Sequence, residues 1–425
     1  MNIVNYDKKF VLKKTLQELP KDEFSKVLNY ESLVKQEGDK GLRKVNELIG
    51  LSSPLEFKVS KEEILKADRN LDEGLKSSIL IAKANIESYA KRQYQSLKLS
   101  SEDTTRGISL WSEIRPIDRV GLYIPGGSAP LFSSLLMQAI PAKVAGCKNI
   151  YVCTPPNEDE SINQAILWIC YILNITNIYK IGGSQAIFAL ANGTESIAKV
   201  DKIFGPGNLY VTAAKKIVSA DVCIDMPAGP SEVFIISNEI KNTRIIAADL
   251  LSQLEHGSDS RAVLLSLNKH LLENVKVEVK KQLKGLARQN ILKESINNLV
   301  LINFENIDDL INFSNENAPE HLIIPDTNLA SLLPKILNAG SIFLGYWSPE
   351  SAGDYCSGTN HVLPTAGYAK SLSGVSVESF TKTVSVQELT KSGLESLSKT
   401  ITVLARAEGL EAHAKAVEVR LRDNE

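Results

Sequence analysis

One short segment of the chain, GDYCSGTNHVLP, brings together three side chains that could do chemistry. His361 follows Asp354 by seven residues, and Cys356 lies between them. A carboxylate and an imidazole suit a divalent metal ion, whereas a thiolate beside an imidazole could act as a nucleophile. Because only His361 could supply the positive charge that a reactive thiolate needs, we expect no chemical role for Cys356. The alternative is a loop without chemistry, and the two glycines favour a loop conformation.

A second candidate for metal binding lies in LLSQLEHG. Gln253 and His256 are three residues apart on a predicted helix, so they share one face. We expect this helix to end at Gly257, which suits a C-cap. An amide oxygen and an imidazole nitrogen from the same turn could bind one metal ion. The alternative is a histidine that interacts favourably with the dipole at the end of a helix.

The segment NAPEHL places Glu320 next to His321, directly before a predicted strand. Within a strand the two side chains would point to opposite faces, but in the preceding loop both could line one pocket. One could then activate water while the other transfers protons. The alternative is an ordinary polar loop edge.

The remaining histidines carry weaker signals. His270 lies in an amphipathic stretch and is expected to be a surface residue. His413 follows Glu408 by five residues in a predicted C-terminal helix, which would place the two side chains about 140° apart on an ideal helix. Gly409 could interrupt that helix. The pair therefore either serves two different roles or belongs to an ordinary amphipathic tail.

The elements that would position these residues begin with a series of alternating strands and helices. Three Gly-rich turns, YIPGGSAP, IGGSQAIF and FGPGNLYV, each follow a predicted strand and precede a predicted helix. Turns at the carboxyl ends of parallel strands can bind nucleotides, because helix N-termini present free N–H groups there. Tyr123, Gln185 and Asn208 lie at these turns. None of the turns is GxGxxG, however, and Gly-rich turns occur in many α/β folds.

A second series follows, with predicted strands SEVFIIS, RAVLLSL, NLVLINF, HLIIP and SIFLG. Alternating strands and helices indicate parallel sheets, so we predict an α/β fold with two Rossmann-like lobes. The predicted domains are a helical N-terminal segment (1–17), an α/β domain with the metal and catalytic residues (18–122 with 233–375), a nucleotide-binding α/β domain (123–232), and a small helical C-terminal domain (376–425).

Composition argues against several classes of function. The formal net charge of -2 provides no electrostatic basis for binding nucleic acid or an anionic membrane. The longest apolar run, Ala165 to Leu173, is far shorter than the ~18 residues of a membrane span. The N-terminus lacks a secretory signal pattern. Five scattered cysteines without CxxC spacing predict free thiols, no disulfides and a cytoplasmic location.

Considered together, these segments resemble the L-histidinol dehydrogenase family. The resemblance rests on FGPGN, MPAGPSEV, LLSQLEHG, NAPEHL and SAGDYCSGTNHVLPT, and it extends from RPIDRVGLYIPGG to the C-terminal tail. It implies a homodimeric enzyme that uses zinc and NAD to oxidise L-histidinol to L-histidine by way of L-histidinal, the last steps of histidine biosynthesis. Cys356 departs from the family pattern, which has a small residue such as Ala there.

The resemblance also implies a role for each candidate residue. It assigns Glu320 and His321 to catalysis. It assigns NAD contacts to Tyr123, Gln185 and Asn208. It assigns the zinc ligands to Gln253, His256, Asp354 and His413. It assigns substrate contacts to Ser231, Gln253, His256, His321, Asp354, His361, Glu408 and His413. The C-terminal residues of one subunit would reach the active site of its partner.

Two other functions are compatible with parts of this pattern. A zinc hydrolase could use the same ligands with Glu320 as its base, but it would need neither NAD nor the first α/β series. A non-catalytic protein that binds a metal or a nucleotide would usually lack the Glu320–His321 pair.

Overall fold

The computed structural model describes residues 2–12, 19–97, 103–105, 107–126, 131–227 and 229–422. The α-helices within these residues are α1 (Lys21–Leu48), α2 (Lys61–Asn70), α3 (Glu73–Leu97), α4 (Phe132–Ala145), α5 (Gln164–Ile172), α6 (Gly183–Asn192), α7 (Leu209–Val218), α8 (Thr243–Leu254), α9 (Lys269–Gln282), α10 (Gln289–Ser295), α11 (Ile307–Asn317), α12 (Glu350–Tyr355), α13 (Lys391–Ala407) and α14 (Glu411–Arg422).

The strands are β1 (Asn2–Asn5), β2 (Asp103–Thr105), β3 (Ile108–Pro116), β4 (Arg119–Tyr123), β5 (Asn149–Thr154), β6 (Asn177–Lys180), β7 (Lys202–Phe204), β8 (Cys223–Ile224), β9 (Glu232–Ile236), β10 (Arg261–Ser266), β11 (Leu299–Asn303), β12 (His321–Ile324), β13 (Ser341–Leu344) and β14 (Thr381–Leu389).

The first series of strands forms a five-stranded parallel sheet in the order β6-β5-β4-β7-β8. Numbered along the chain, this order is 3-2-1-4-5, as in nucleotide-binding α/β folds. Four of the five residues of β4 are buried, because helices cover both faces of the sheet. The strand order reverses between β4 and β7, so a crevice opens at their carboxyl ends, beside Tyr123 and Gly205.

The second series forms a six-stranded parallel sheet in the order β1-β11-β10-β9-β12-β13. Without β1 the order is again 3-2-1-4-5. Every residue of the central strands β9 and β10 is buried, as expected for strands covered on both faces. The predicted α/β class with two parallel sheets is therefore confirmed.

The predicted helical segment 1–17 is wrong at its beginning. Residues Asn2–Asn5 form β1, which pairs with β11 in parallel and places Ile3 opposite Leu301. Tyr6 then stacks on Phe304, with ring centroids 4.5 Å apart. A segment this short shows no periodicity of its own, and its conformation is set by the open edge of the sheet. Met1 and residues 13–17 of the predicted segment lie outside the described residues.

The predicted domain boundaries also need correction. Helices α1, α2 and α3 were assigned to the six-stranded domain, but they pack on α6 and α7, α5 and α4 of the five-stranded one. The reason is hydrophobic burial, because Val34 and Leu42 of α1 join Ile187 and Phe188 of α6 in one core. The boundary between residues 122 and 123 also cuts through β4.

The C-terminal region 376–425 is not entirely helical. It begins with β14, which pairs antiparallel with β3 over nine residues and is mostly exposed. Helices α13 and α14 follow and pack mainly on each other. Val403, Leu404 and Val419 remain exposed on this helical hairpin, so its apolar surface is only partly covered by its own chain. Within the described residues, every helix is too short or too polar to cross a membrane.

Candidate active site

A pocket lies where the two sheets meet. Gly205, at the carboxyl end of β7, and Ser134, in the first turn of α4, line one side. Glu320 and His321, at the amino end of β12, line the other side. The pocket thus joins the carboxyl edge of one parallel sheet to the amino edge of the other. Its lining also includes Ser231, Gln253, His256, Asp354 and His361.

His321 is the first residue of β12 and is buried. Its Nδ1 lies 3.3 Å from the carbonyl oxygen of Glu232. A carbonyl oxygen can only accept, so this contact places the ring proton on Nδ1 and leaves Nε2 as the acceptor. Nε2 has no hydrogen-bond partner among the described residues. Burial, with smaller contributions from His256 and His361, lowers the pKa of His321 to about 3, so the ring is neutral at pH 7.

Glu320 is held beside His321 by the first residue of β9. The backbone N–H of Glu232 donates to Oε2 of Glu320 at 2.8 Å. Oε2 also lies 3.7 Å from Nδ1 of His321. Burial raises the pKa of Glu320 well above its ordinary value, and the carboxylates of Glu232 and Asp354 raise it further. The predicted pair therefore lines one pocket, with Glu320 before the strand and His321 at its start.

The residue that anchors this pair, Glu232, was missed by the sequence analysis. Its fully buried carboxylate pairs with Arg261 and accepts a hydrogen bond from the backbone N–H of Ala366 at 3.1 Å. In the sequence, Glu232 is only the acidic first residue of an apolar strand. Its burial cannot be predicted there, because burial depends on the tertiary fold.

Three of the four predicted metal ligands, Gln253, His256 and Asp354, line the same pocket. Gln253 is in the last turn of α8, which ends before the predicted Gly257, and His256 follows the helix. Both polar atoms of the Gln253 side chain are buried without a hydrogen-bond partner among the described residues. An orphaned amide of this kind fits a ligand to a metal ion. His256 is exposed and lines the pocket. Neighbouring protein atoms that keep water from its ring lower its pKa, and the charge of Arg288 lowers it further.

Asp354 does not lie in a loop, as we had expected from the sequence. It belongs to the short helix α12, whose first residue is Glu350. One ligand atom from each of His256, Glu350 and Asp354 lies within 4.8 Å of the other two. Burial raises the pKa of Asp354 to about 7. Glu350 was not among the sequence candidates, since neither its spacing nor its neighbours distinguish it from a surface glutamate.

Two hydrogen bonds fix the ring of His361. Its Nδ1 lies 2.7 Å from the carbonyl oxygen of Asp354, and its Nε2 lies 3.0 Å from the hydroxyl of Ser134. The carbonyl oxygen accepts, so Nδ1 carries the proton and Ser134 donates to Nε2. Burial lowers the pKa of His361 to about 4. Ser134 belongs to the five-stranded lobe and was missed, because a serine in an apolar helix carries no sequence signal.

Cys356 is exposed. The hydrogen bonds of the two His361 ring nitrogens are with Asp354 and Ser134. The absence of a chemical role for Cys356 stays a prediction.

The three predicted NAD contacts lie at the carboxyl edge of the five-stranded sheet. The hydroxyl of Tyr123 accepts a hydrogen bond from the backbone N–H of Gly183 at 3.2 Å, and burial raises the pKa of Tyr123 to about 12. Gln185 lines a cleft beside β6. Its Nε2 donates to Asn46, but its buried Oε1 has no partner among the described residues. Asn208 is exposed and caps the N-terminus of α7.

Two predicted site residues are not brought to the pocket. Glu408 follows the last residue of α13, and His413 lies in α14. Both are exposed, and neither lines the pocket formed by the described residues of the same chain.

Comparison with known proteins gives a consistent result. The family model described as histidinol dehydrogenase matches residues 17–421. The chain belongs to the histidinol dehydrogenase family.

Individual relatives support this assignment. The chain is 46% identical to a histidinol dehydrogenase of Bacteroides fragilis strain YCH46, over 94% of this chain and 93% of the relative. It is 48% identical to one of Haemophilus influenzae strain 86-028NP, over 85% and 84%. The crystal structure of histidinol dehydrogenase from Elizabethkingia anophelis superposes with a TM-score of 0.94 at 45% identity, covering 100% of this chain and 98% of that one. The predicted family is confirmed, and the protein is an oxidoreductase.

The hydrogen bonds of His361 predict different effects of substituting the two adjacent serines Ser133 and Ser134. Ser134→Ala removes the donor to Nε2, so this nitrogen should lose its hydrogen bond while the Asp354 carbonyl still keeps the proton on Nδ1, and stability should fall by about 1 kcal/mol, the typical contribution of a hydrogen bond. The ¹⁵N chemical shifts of the His361 ring and urea unfolding report the two effects. Ser133→Ala is the matched control, because Ser133 lines the same pocket. Equal shifts in both variants would contradict the assigned role of Ser134.

Proposed function

We propose that the protein oxidises L-histidinol to L-histidine through L-histidinal, with NAD as the electron acceptor and a zinc ion in each active site. The observation that carries this proposal is a neutral, buried His321 with a free Nε2, placed beside Glu320 and facing Gln253, His256 and Asp354. Relatives named histidinol dehydrogenase support the substrate. The five free cysteines support a reducing compartment such as the cytoplasm.

His321 has the geometry of the base that accepts the proton in both oxidations. Conversion of the alcohol to the aldehyde releases a hydride from carbon and a proton from oxygen, and Nε2 of His321 takes the proton. Bound NAD would accept the hydride each time. The contact of Nδ1 with the Glu232 carbonyl keeps the accepting nitrogen directed at the pocket.

Glu320 serves the step between the two oxidations. The aldehyde must add water before it can lose a second hydride, and a carboxylate can accept the proton of that water. Its raised pKa makes the Glu320 carboxylate a stronger base than an exposed glutamate. The hydrogen bond from the N–H of Glu232 fixes one carboxyl oxygen in place, so Glu320 stays close to the reacting carbon.

Gln253, His256 and Asp354 would hold the zinc ion, with His413 supplied by a second copy of the chain. A bound zinc ion would accept the imidazole and amine nitrogens of the substrate and so orient it. Ser231 and His361 line the pocket and are placed to contact the substrate. Tyr123, Gln185 and Asn208 border the crevice at the carboxyl ends of the strands, which is where NAD would bind.

The C-terminal hairpin supports a homodimer with shared active sites. Glu408 and His413 are exposed, do not line the pocket of their own chain, and belong to a hairpin that exposes apolar side chains. The hairpin follows β14, which pairs with β3, and its two helices pack mainly on each other. A second copy of the chain would supply these two residues to each site.

The central proposal predicts a rise in absorbance at 340 nm when the protein is mixed with L-histidinol and NAD. We expect two NADH for each histidine formed, because two hydrides leave the substrate. Treatment with a chelator should abolish the signal, and added zinc should restore it. Absence of NADH formation with metal-loaded protein would reject the proposed function.

The two catalytic residues should differ in the step that they support. His321→Asn should abolish both oxidations, because the proton acceptor is lost, while zinc analysis shows the metal retained. Glu320→Gln should still produce NADH from histidinol but stall before histidine, because water is no longer activated. Separate assays with histidinol and histidinal distinguish these outcomes. Normal conversion of histidinal by Glu320→Gln would contradict the role given to Glu320.

Shared sites predict complementation between two inactive variants. When His321→Asn and His413→Asn chains are unfolded together and refolded, each mixed dimer carries one site with neither substitution. Random pairing should then restore about a quarter of the wild-type activity. Each variant refolded alone is the control and should remain inactive. No recovery from a mixture shown to contain heterodimers would contradict the shared site.

A further inference from the structure

We infer that Lys215 and Asp225 are positioning residues for NAD, because their buried ion pair fixes the shape of the turn against which the cofactor would bind; this inference rests on the proposed function. The turn is FGPGN (204–208), which connects β7 to α7 at the carboxyl edge of the five-stranded sheet. It ends with Asn208 and packs against Tyr123, two of the three proposed NAD contacts. The ion pair lines the pocket beside this turn.

Gly205 is the residue at which this turn could change its conformation. Its φ is +127°, and a Cβ at this position would lie 2.1 Å from the carbonyl oxygen of Tyr123, so only glycine fits there. Glycine is also the residue with the greatest backbone freedom. The pairing of β4 with β7 ends one residue earlier, at Phe204. The sheet therefore does not hold Gly205 in place, and other groups must do so.

The ion pair holds Gly205 on both sides of its Cα atom. Nζ of Lys215 donates a hydrogen bond to the carbonyl oxygen of Gly205 at 2.9 Å. The backbone N–H of Gly205 donates to Oδ2 of Asp225 at 2.8 Å. These groups belong to the two planar peptide units that flank the Cα atom, so fixing both units also fixes the φ and ψ angles between them. Lys215 pairs with Asp225 as well, which joins the two anchors to each other.

Both anchors belong to regular elements of the same lobe. Asp225 directly follows β8, and its N–H donates to the carbonyl oxygen of Ile203 in β7 at 2.9 Å. Lys215 lies in α7, and each of the two side chains is only 1% exposed. A lysine is almost never buried unless it is paired, and a buried ion pair adds little net stability. We therefore assign the pair to the conformation of the turn rather than to the stability of the lobe.

The expected consequence is a higher affinity for NAD. A turn that already has its binding conformation loses little conformational entropy when the cofactor binds. The hydrogen bonds and the ion pair of Lys215 and Asp225 described above lie within the five-stranded lobe, whereas His321 belongs to the other lobe. Loss of the pair should therefore weaken NAD binding and leave the proton transfer at His321 largely intact.

Direct binding of NAD tests this assignment. Wild-type protein, Lys215→Met and Lys202→Met are titrated with NAD by calorimetry without histidinol, which gives both the Kd and the stoichiometry. Lys202→Met is the matched control, because Nζ of Lys202 donates to the carbonyl oxygen of Ser379 at 2.9 Å from the opposite end of β7. We expect Lys215→Met to raise the Kd about tenfold, which corresponds to the loss of one hydrogen bond from a charged donor. The Kd of Lys202→Met should not change.

Steady-state kinetics provide the second measurement. In Lys215→Met the KM for NAD should rise with the Kd, while kcat at saturating NAD and the KM for histidinol should change less than about twofold. If Lys215→Met does not fold, it is combined with Asp225→Asn. The double variant removes both buried charges, which is less destabilising than leaving one of them unpaired, and it keeps an acceptor for the N–H of Gly205. The same rise in the Kd is expected there, because the bond to the Gly205 carbonyl is still lost.

The opposing outcomes are distinct. A role in stability alone would lower the free energy of unfolding or the NAD stoichiometry with the Kd unchanged, and this result would overturn the inference. Equal weakening in Lys202→Met would show a general effect of disturbing β7 and would also overturn it, as would failure of the double variant to fold. Wild-type protein that binds no NAD would reject the proposed NAD site itself, which is a different failure from unchanged affinity in the variants.

Discussion

The arrangement of the active site depends on one buried residue, Glu232. Its backbone N–H holds Glu320, its backbone carbonyl fixes the proton of His321, and its side chain joins Arg261 to the backbone of Ala366. A buried ion pair of this kind adds little net stability, because desolvation offsets much of the attraction. The ion pair instead fixes the orientation of the Glu232 side chain. Removing either charge would leave the other one buried without its partner. The candidate catalytic residues are therefore positioned by backbone groups of a central strand in which every residue is buried.

The site also depends on the contact between the two lobes. Ligands of open α/β sheets usually bind at the carboxyl ends of the strands, and the proposed NAD contacts Tyr123, Gln185 and Asn208 lie at that edge of the five-stranded sheet. The six-stranded sheet presents Glu320 and His321 at its amino edge instead. The two edges are joined by the hydrogen bond between Ser134 and His361 and by that from the N–H of Gly229 to the hydroxyl of Thr365. Under the proposed function, a nucleotide at one edge would face a proton acceptor at the other, and neither lobe alone would carry a complete site.

Much of this organisation can be predicted from the sequence, and the failures have physical causes. Alternating apolar strands and helices predict the two parallel sheets, because burial on both faces leaves a clear pattern. Gln253 with His256 and Glu320 with His321 can be proposed from the sequence because the members of each pair lie within three residues of each other. Glu232, Glu350 and Ser134 are not found, because their significance comes from burial and from partners on other elements. Strand β1 and the packing of α1 to α3 are also missed. The first depends on the uncovered edge of the six-stranded sheet, and the second depends on the uncovered helices of the five-stranded lobe.

The weak attachment of the C-terminal hairpin to its own lobes has a consequence for the onset of activity in the cell. If Glu408 and His413 complete the site of another copy, a newly synthesised subunit is folded yet inactive until it meets a second one. Encounter of two subunits is a bimolecular event, so active enzyme would accumulate with the square of subunit concentration when expression is low. Synthesis of histidine would then begin with a delay after induction and rise steeply, without any separate regulatory ligand.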